Sequence, residues 1–411
     1  AGATAPRPET AADAPRYNDR LAVDLSPVQI DSLLAVWRER QTLGAYEEFF
    51  STYVGFDPAA AAAGDRTPDS VYVRRLRDLV SPVQLPYNYI VKGYIDRYTN
   101  VRSGTISRIL GMSQYYFPLI EEELIKAGLP VELRALPIIE SALSPTAVSP
   151  MGAAGLWQFM PATGKVYGLE VNSLVDERCD PVLSTRAACR YLKDLYTLYK
   201  DWTLAIAAYN CGPGNVNKAL ARAGDGSRTF WDIYDFLPRE TRGYVPAFIG
   251  ASYAYAYHKL HGIEFTEPPL PLATDTIRVD RLLHLGQVSS TIDIPMETLR
   301  QLNPQYKLDI VPATTKTYSL VLPQRYVCRY IQQQDSIFAK DSAYLKEYMN
   351  PANLEKKRQQ RSGTIYTVKK GDTLGAIARK YRVTTAQLMR WNGIKNANKL
   401  RLGQKIRIEG R

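Results

Sequence analysis

Glu140 is the residue whose setting most invites chemistry. It follows the apolar run Leu136-Pro137-Ile138-Ile139, and a second run, Gly155-Leu156-Trp157-Gln158-Phe159-Met160, comes soon after it. A carboxyl group in apolar surroundings has its charged form disfavoured, so its pKa rises and it can hold a proton near neutral pH. Such a group can act as a general acid, and cleavage of a glycosidic bond needs one to protonate the departing oxygen. Further polar and aromatic groups stand at Ser141, at Tyr209-Asn210 before the turn Cys211-Gly212-Pro213-Gly214, and at Glu240 and Tyr244. A spacing of four sets Glu240 and Tyr244 on one helix face. The Gly-Pro-Gly turn lacks the spacing of a phosphate-binding loop.

Metal chemistry has little support. The four cysteines, Cys179, Cys189, Cys211 and Cys328, include no CxxC pair, which argues against a zinc site of the usual spacing. Cys189 lies in a helical stretch and Cys211 follows the next one. They could meet as a disulfide in an oxidising compartment, and buried free thiols are the alternative.

The elements that position these residues are helical. From Leu25 to about Thr99 the pattern is that of helices, with Ser26-Pro27 and Ser81-Pro82 as cap-and-start signals and a break at Ala59–Ala63 and Gly64. Residues 115–128 form an amphipathic helix ending at Gly128; Pro130 opens the helix carrying Glu140, and Pro145 and Pro150 end it. Short helices are predicted at roughly 158–167, 184–199, 202–210, 213–222 and 240–258, with Leu183, Ala187, Tyr191, Leu195 and Leu198 as one buried face. Few stretches alternate with period two, so this block is an all-α unit.

Pro268, Pro269 and Pro271 mark a stiff boundary, beyond which a repeat begins. Residues 276–322 and 364–408 both read strand, turn, helix, short loop, helix ending in Asn, longer loop, strand. In the second copy Asp372 or Thr373 caps a helix whose Leu374, Ile377, Ala378 and Tyr381 share a face. Thr384 and Gln387 form a capping box for the next helix, which carries Leu388 and Trp391 and ends at Gly393. Leu402, Ile406 and Ile408 alternate around the turn at Gly403.

At 411 residues the chain suggests two to four units, and no run approaches the length of a membrane-spanning helix. The net charge of +11 is concentrated in residues 364–411, which hold twelve Lys and Arg against Asp372 and Glu409. A compact basic module points to an acidic partner: nucleic acid, anionic lipid or an acidic polymer such as a cell wall. The sequence starts at Ala1 without a leader, so any anchor is expected to lie on a removed or trimmed segment. Residues 1–16, small, polar and Pro-rich, read as a disordered leader.

Four motifs in order carry a resemblance: Glu140-Ser141; Gly155-Leu156-Trp157-Gln158; Ala208-Tyr209-Asn210; and Glu240-Thr241-Arg242-Gly243-Tyr244-Val245. Together they resemble the family 1 lytic transglycosylases, of the membrane-bound lytic murein transglycosylase D type, over roughly residues 80–258, and both later repeats resemble LysM modules. The resemblance implies a mainly α protein: a lysozyme-like all-α catalytic domain with an N-terminal helical extension, plus two small βααβ LysM-like modules, the first degenerate. The expected division is 1–16 leader, 17–110 helical extension, 111–265 transglycosylase domain, 272–325 degenerate module, 326–362 helix and linker, and 363–411 LysM module.

The resemblance makes Glu140 the single catalytic acid and base, cleaving the bond between N-acetylmuramic acid and N-acetylglucosamine, with the muramyl C6 hydroxyl closing a 1,6-anhydro ring. Ser141, Gln158, Trp157, Tyr209, Asn210, Glu240 and Tyr244 would bind substrate or orient the acid; Gln158 would donate to a sugar, and Tyr244 would orient the carboxylate. In the last module Asp372, Thr373 and Leu374 would form one lip of a glycan groove and Asn398, Lys399 and Leu400 the other. The first copy has Asp280-Arg281-Leu282-Leu283 in place of the Gly-Asp-Thr turn. It is expected to have lost glycan affinity and to act as a packing unit or spacer. The implied setting is the periplasm of a Gram-negative bacterium, with peptidoglycan strands as partner, an outer-membrane lipid anchor beyond this sequence, a monomer, and no metal, cofactor or nucleic acid. The rival readings are a muramidase in which Glu240 or Asp180 activates water, and a non-catalytic wall-binding scaffold.

Overall fold

The computed structural model describes residues 49–55, 67–99, 104–224, 226, 229–345 and 363–409, apart from positions 370, 382, 393, 395, 398 and 399. The leader 1–16, Ser26-Pro27, the Ala59–Gly64 break, Gly393, Asn398 and Lys399 lie outside the described residues.

A short helix at 49–53 precedes α1 (Asp69–Asp78), which buries Tyr72 and Leu76. Ser81-Pro82 does not start a helix, contrary to the sequence pattern. Ser81 Oγ accepts from the Val83 N–H at 3.0 Å, a local turn, and the chain stays irregular to residue 88. Pro86 disfavours helical geometry at the residue before it. Asn88 provides the cap instead, accepting from the Val91 N–H at 2.9 Å, and α2 runs Tyr89–Thr99.

The next helix, α3 (Gly104–Ala127), is longer than its amphipathic signature and continues through Pro118. It stops at Gly128, whose φ of 70° suits glycine. A 3₁₀ turn, Val131–Ala135, leads into α4 (Leu136–Ser141), which ends on the left-handed pair Ala142 and Leu143. There follow α5 (Pro161–Val166), α6 (Pro181–Tyr199), α7 (Trp202–Cys211), α8 (Pro213–Ala223), α9 (Arg239–Arg242) and α10 (Tyr244–Tyr257).

On α6 the buried face is Ser184, Thr185, Ala187, Ala188, Cys189, Leu192 and Leu195, while Leu198 is exposed. Leu198 was expected inside, but fifteen residues at 3.6 per turn carry it roughly 60° past the position of Leu183. α10 is apolar almost all round, with eight consecutive residues from Tyr244 to Ala251 buried, as befits a helix at the centre of a domain. It packs on α2 at two glycines. A Cβ at Gly250 would stand 3.1 Å from Tyr94 and Tyr98, and one at Gly243 would collide with the Tyr94 hydroxyl and the Val54 carbonyl. Tyr94 itself donates to that carbonyl at 2.8 Å. The helical extension and the central helix thus share one core.

Both repeats form βααβ units. In the first, β1 (Thr274–Val279) pairs antiparallel with β4 (Tyr318–Pro323), Ile277 opposite Leu320. Between them lie β2 (Leu283–His284), α11 (Leu285–Ile292), α12 (Met296–Leu302) and β3 (Ile310–Val311), with β2 paired to β3. α13 (Gln324–Gln332), α14 (Gln334–Phe338) and α15 (Asp341–Tyr344) follow. Ile337, Phe338 and Leu345 join the module's core, and the Gln287 amide donates to the Ile337 carbonyl and Asp341. Residues 326–345, read from sequence as a helix and linker, therefore extend this module.

In the second unit β5 (Gly363–Thr367) pairs with β6 (Lys405–Glu409) around α16 (Leu374–Lys380) and α17 (Thr385–Asn392). Thr373 is the cap of α16, accepting from Ala376 N–H, and Asp372 instead holds the turn by accepting from Tyr366 and the Lys369 N–H. Thr384 and Gln387 form the capping box. Leu402 is exposed at the Gly403 turn, so the alternation reaches the core only at Ile406 and Ile408. The asparagine ending the second helix does the same work in both copies. Asn303 exchanges hydrogen bonds with the backbone of Val321, and Asn392 with that of Arg407, tying helix to last strand. Among the described residues no helix is long and apolar enough to cross a membrane.

Candidate active site

Glu140 occupies the last turn of α4, 7% exposed, with Ile138 and Ile139 buried beside it. The phenol of Tyr244, first residue of α10, donates to Glu140 Oε1. Burial pushes the Glu140 pKa up to about 8, and the Tyr244 hydrogen bond pulls the other way. No other buried acid among the described residues is held so sparsely. Glu123 pairs with Arg186, Asp176 with Arg178, Glu177 with Lys316 and Asp309 with Arg300. Asp180 accepts from the Val182 and Leu183 N–H groups as the cap of α6, and burial leaves its pKa at about 6. Glu140 is therefore a buried carboxyl whose surroundings favour its protonated form near neutral pH.

Most companion residues face inward and build the frame around it. Ser141, expected at substrate, is 3% exposed, and its hydroxyl lies 3.0 Å from the Pro137 carbonyl and 2.9 Å from that of Leu156. It links the acid's helix to the loop at 147–160. Trp157, also expected at substrate, is fully buried and donates from Nε1 to Thr185 at 2.8 Å. A large apolar ring in an apolar run gains most from complete burial, and the indole N–H needs only one partner.

Gln158 adopts φ 48°, and its amide nitrogen donates to the carbonyls of Ala147 (3.1 Å) and Gly155 (2.9 Å). Two carbonyls on one side fix which end is nitrogen. Both donors are thus engaged within the loop, and Oε1 is buried with no partner among the described residues. Donation from Gln158 to a sugar would require one of these two loop bonds to give way.

Tyr209 donates to the Trp157 carbonyl at 2.8 Å, with its ring against Trp157, Phe159 and Tyr191. Its hydroxyl is committed to the frame. Asn210 Oδ1 accepts from Thr241 at 2.9 Å, joining the ends of α7 and α9. Glu240 is exposed on α9, and the break at Gly243 puts it on a different helix from Tyr244, so the two do not share one continuous helical face.

Cys189 and Cys211, a candidate disulfide in the sequence, are both free thiols. Cys189 is buried in α6, and Cys211 turns its sulfur to the Gly212 carbonyl at 3.7 Å. Burial pushes the Cys189 thiol up to about 12, so it packs as a small apolar group. In the last module Leu374 is buried in the core, which removes it from the expected glycan lip. Thr373 is exposed, Asp372 and Leu400 are half-buried, and the rest of the lip falls on undescribed residues.

Sequence reasoning missed Arg178. It is 6% exposed, grips both oxygens of Asp176 at 2.8 Å, and donates from Nη1 to the carbonyls of Gly152 (2.7 Å) and Phe159 (2.9 Å). Gly155, with φ 86°, passes so close to the Arg178 carbonyl that a Cβ would collide with it. That glycine was the available signal, since it announces a close backbone approach.

Comparison with known proteins agrees with this layout. Residues 117–231 match the family model described as transglycosylase SLT domain, residues 366–409 the LysM domain, and residues 273–339 the lytic transglycosylase MltD LysM-like domain. The chain is 32% identical over 296 residues to membrane-bound lytic murein transglycosylase D of Escherichia coli (strain K12), across 71% of this chain and 63% of that protein. It is 31% identical over 123 residues to the soluble lytic murein transglycosylase of the same strain, across 29% of this chain and 19% of that one. The solved structure of the 70 kDa soluble lytic transglycosylase from Escherichia coli aligns with 59% of this chain and 47% of its own, at 21% identity and a TM-score of 0.32. The chain thus spans less than two thirds of the length of these curated relatives.

Proposed function

We propose that this chain is a peptidoglycan lytic transglycosylase in which Glu140 acts first as acid and then as base. The observation that carries the reading is the buried Glu140 carboxyl, held by one phenol and by no cation among the described residues, inside a stretch that matches a transglycosylase family model. The protonated carboxyl gives its proton to the glycosidic oxygen as the bond from muramyl C1 breaks. The resulting carboxylate then takes the proton of the muramyl C6 hydroxyl, whose oxygen bonds to C1 and closes a 1,6-anhydro ring. Atoms and charge balance without water, and Glu140 ends protonated. The Tyr244 phenol supports both halves: its hydrogen bond fixes Oε1 and steadies the carboxylate formed midway.

Hydrolysis by the usual retaining or inverting route uses a second carboxylate, as nucleophile or to activate water. Asp180 is occupied in capping α6 and Glu240 is exposed on α9, which favours ring closure over a muramidase. The relative named as membrane-bound supports a periplasmic, envelope-attached enzyme, and the basic LysM module would hold it on the wall.

The test is the mass of the muropeptide products. Ends lighter by one water than hydrolytic ones are expected, whereas wholly hydrated ends would refute the transglycosylase reading. Glu140→Gln should cut turnover by about 10³-fold, the scale of a lost general acid; an unchanged rate would refute Glu140 as the acid, and no cleavage by the wild-type chain would leave only the scaffold. Deleting 363–411 should weaken binding to intact wall and spare cleavage of short soluble strands, and equal losses on both would argue against tethering.

A further inference from the structure

We propose that the first βααβ module is part of the catalytic frame, with Lys307 as a positioning residue for the loop beside Glu140. This rests on the reading of Glu140 given above. Lys307 lies between α12 and β3, and its side chain is 2% exposed. A lysine that dry is tolerable only when paired. Its ammonium donates to the Asn172 carbonyl at 2.5 Å and stands 3.9 Å from Asp176 Oδ2, whose own side chain is 1% exposed. Lys307 belongs to the first module and its two partners to the segment before it, and the contact is flanked by backbone hydrogen bonds from Asp176 N–H to Gln305 and from Lys307 N–H to Leu174, each 2.9 Å.

From Asp176 the connection continues inward. Arg178 grips the carboxylate and reaches the carbonyls of Gly152 and Phe159, which bracket Gly155 to Gln158. The Leu156 carbonyl accepts from Ser141, the residue after the acid, and the Trp157 carbonyl accepts from Tyr209. One ion pair at 3.9 Å, the bonds of Arg178 and two neutral hydroxyl-to-carbonyl bonds therefore join the module to the frame around Glu140. Without the Lys307 charge, Asp176 keeps one cationic partner in place of two, and the orientation of Arg178 across the two carbonyls is less constrained. A second contact at the same boundary, Lys316 on Glu170 (2.6 Å) and Glu177 (3.3 Å), is half exposed and does not lead to the loop.

The experiment uses the full chain and two readings: kinetics on short soluble glycan strands, and amide hydrogen exchange of the peptide 147–160. Lys307→Met should speed exchange in that peptide and lower kcat about tenfold with KM within twofold, the scale of a small misplacement near the chemistry. Lys307→Arg should restore much of both. Lys316→Gln, which opens the outer contact only, should change neither. Should Lys307→Met not fold, Asp176→Asn takes the same readings, since it keeps the shape and loses the charge between the two cations. Unchanged loop exchange in the folded variant, or equal effects from Lys316→Gln, would overturn the proposal. A wild-type chain that cleaves no glycan would remove the proposed function and leave the exchange reading intact.

Discussion

Glu140 and Asp176 are two carboxyls in comparably dry places, 7% and 1% exposed, and they end up in opposite states. At Glu140 burial meets a phenol and, among the described residues, no cation, and the pKa climbs to about 8. At Asp176 burial pushes the same way, but Arg178 and then Lys307 overcome it and hold the carboxyl below its ordinary range. Burial alone does not set protonation. The partners admitted do: a lone phenol leaves the Glu140 pKa high, while two cations at Asp176 fix a charge that holds backbone in place.

The contrast breaks most severely at Arg178. Arg178→Met would leave Asp176 buried with Lys307 as its remaining cation and take one donor from each of the Gly152 and Phe159 carbonyls, at a cost of about 3–5 kcal/mol, the scale of a broken buried ion pair. Urea unfolding of the variant against wild type measures it, and a loss under about 1 kcal/mol would show that the pair adds little.

The next test reads the proton on Glu140. Between pH 4.5 and about 8 the unfolded chain gives up this proton while the native one keeps it, so the contribution of Glu140 to stability is full below 4.5 and is lost as pH rises through 8. Glu140→Gln has no such loss. Its stability relative to wild type should improve by about 3 kcal/mol from pH 5 to pH 8, since each unit is worth at most about 1.4 kcal/mol. Melting curves at the two pH values check it; a difference that stays flat would mean that the carboxyl is ionised in the fold. The smallest effect is expected at Tyr244→Phe. The phenol lowers the Glu140 pKa, so its removal should move the alkaline limb of the pH–rate profile upward. Movement downward would assign the phenol the opposite role.

The apolar flanks of Glu140 made its burial legible in the sequence, and the cap and glycine signals at Gly128, Thr373 and Thr384 located helix ends well. Both second-helix asparagines were visible as a repeat, though their bonds to the last strand were not. What the sequence hid was direction. Ser141, Trp157, Gln158 and Tyr209 are near the acid in the fold, but each turns its polar group to backbone or core, and no local pattern reveals which way a side chain points. Contacts across long separations were equally hidden: Lys307 and Asp176 are 131 positions apart, and nothing near either one announces the other.

The seam at Gly243 bears on how this protein can be divided. The stretch matching the transglycosylase model stops at residue 231, yet Tyr244 lies beyond it, and α10 is seated on Tyr94 and Val54 far upstream. A fragment trimmed to the matched boundaries would lose the phenol that donates to the acid, its one hydrogen-bonded side-chain neighbour among the described residues, and both halves of that helix contact. A piece that keeps Glu140, Tyr244 and the α10 seat together accordingly begins before Val54 and runs past Tyr257, so truncation libraries and domain grafts should carry the upstream helices with Glu140.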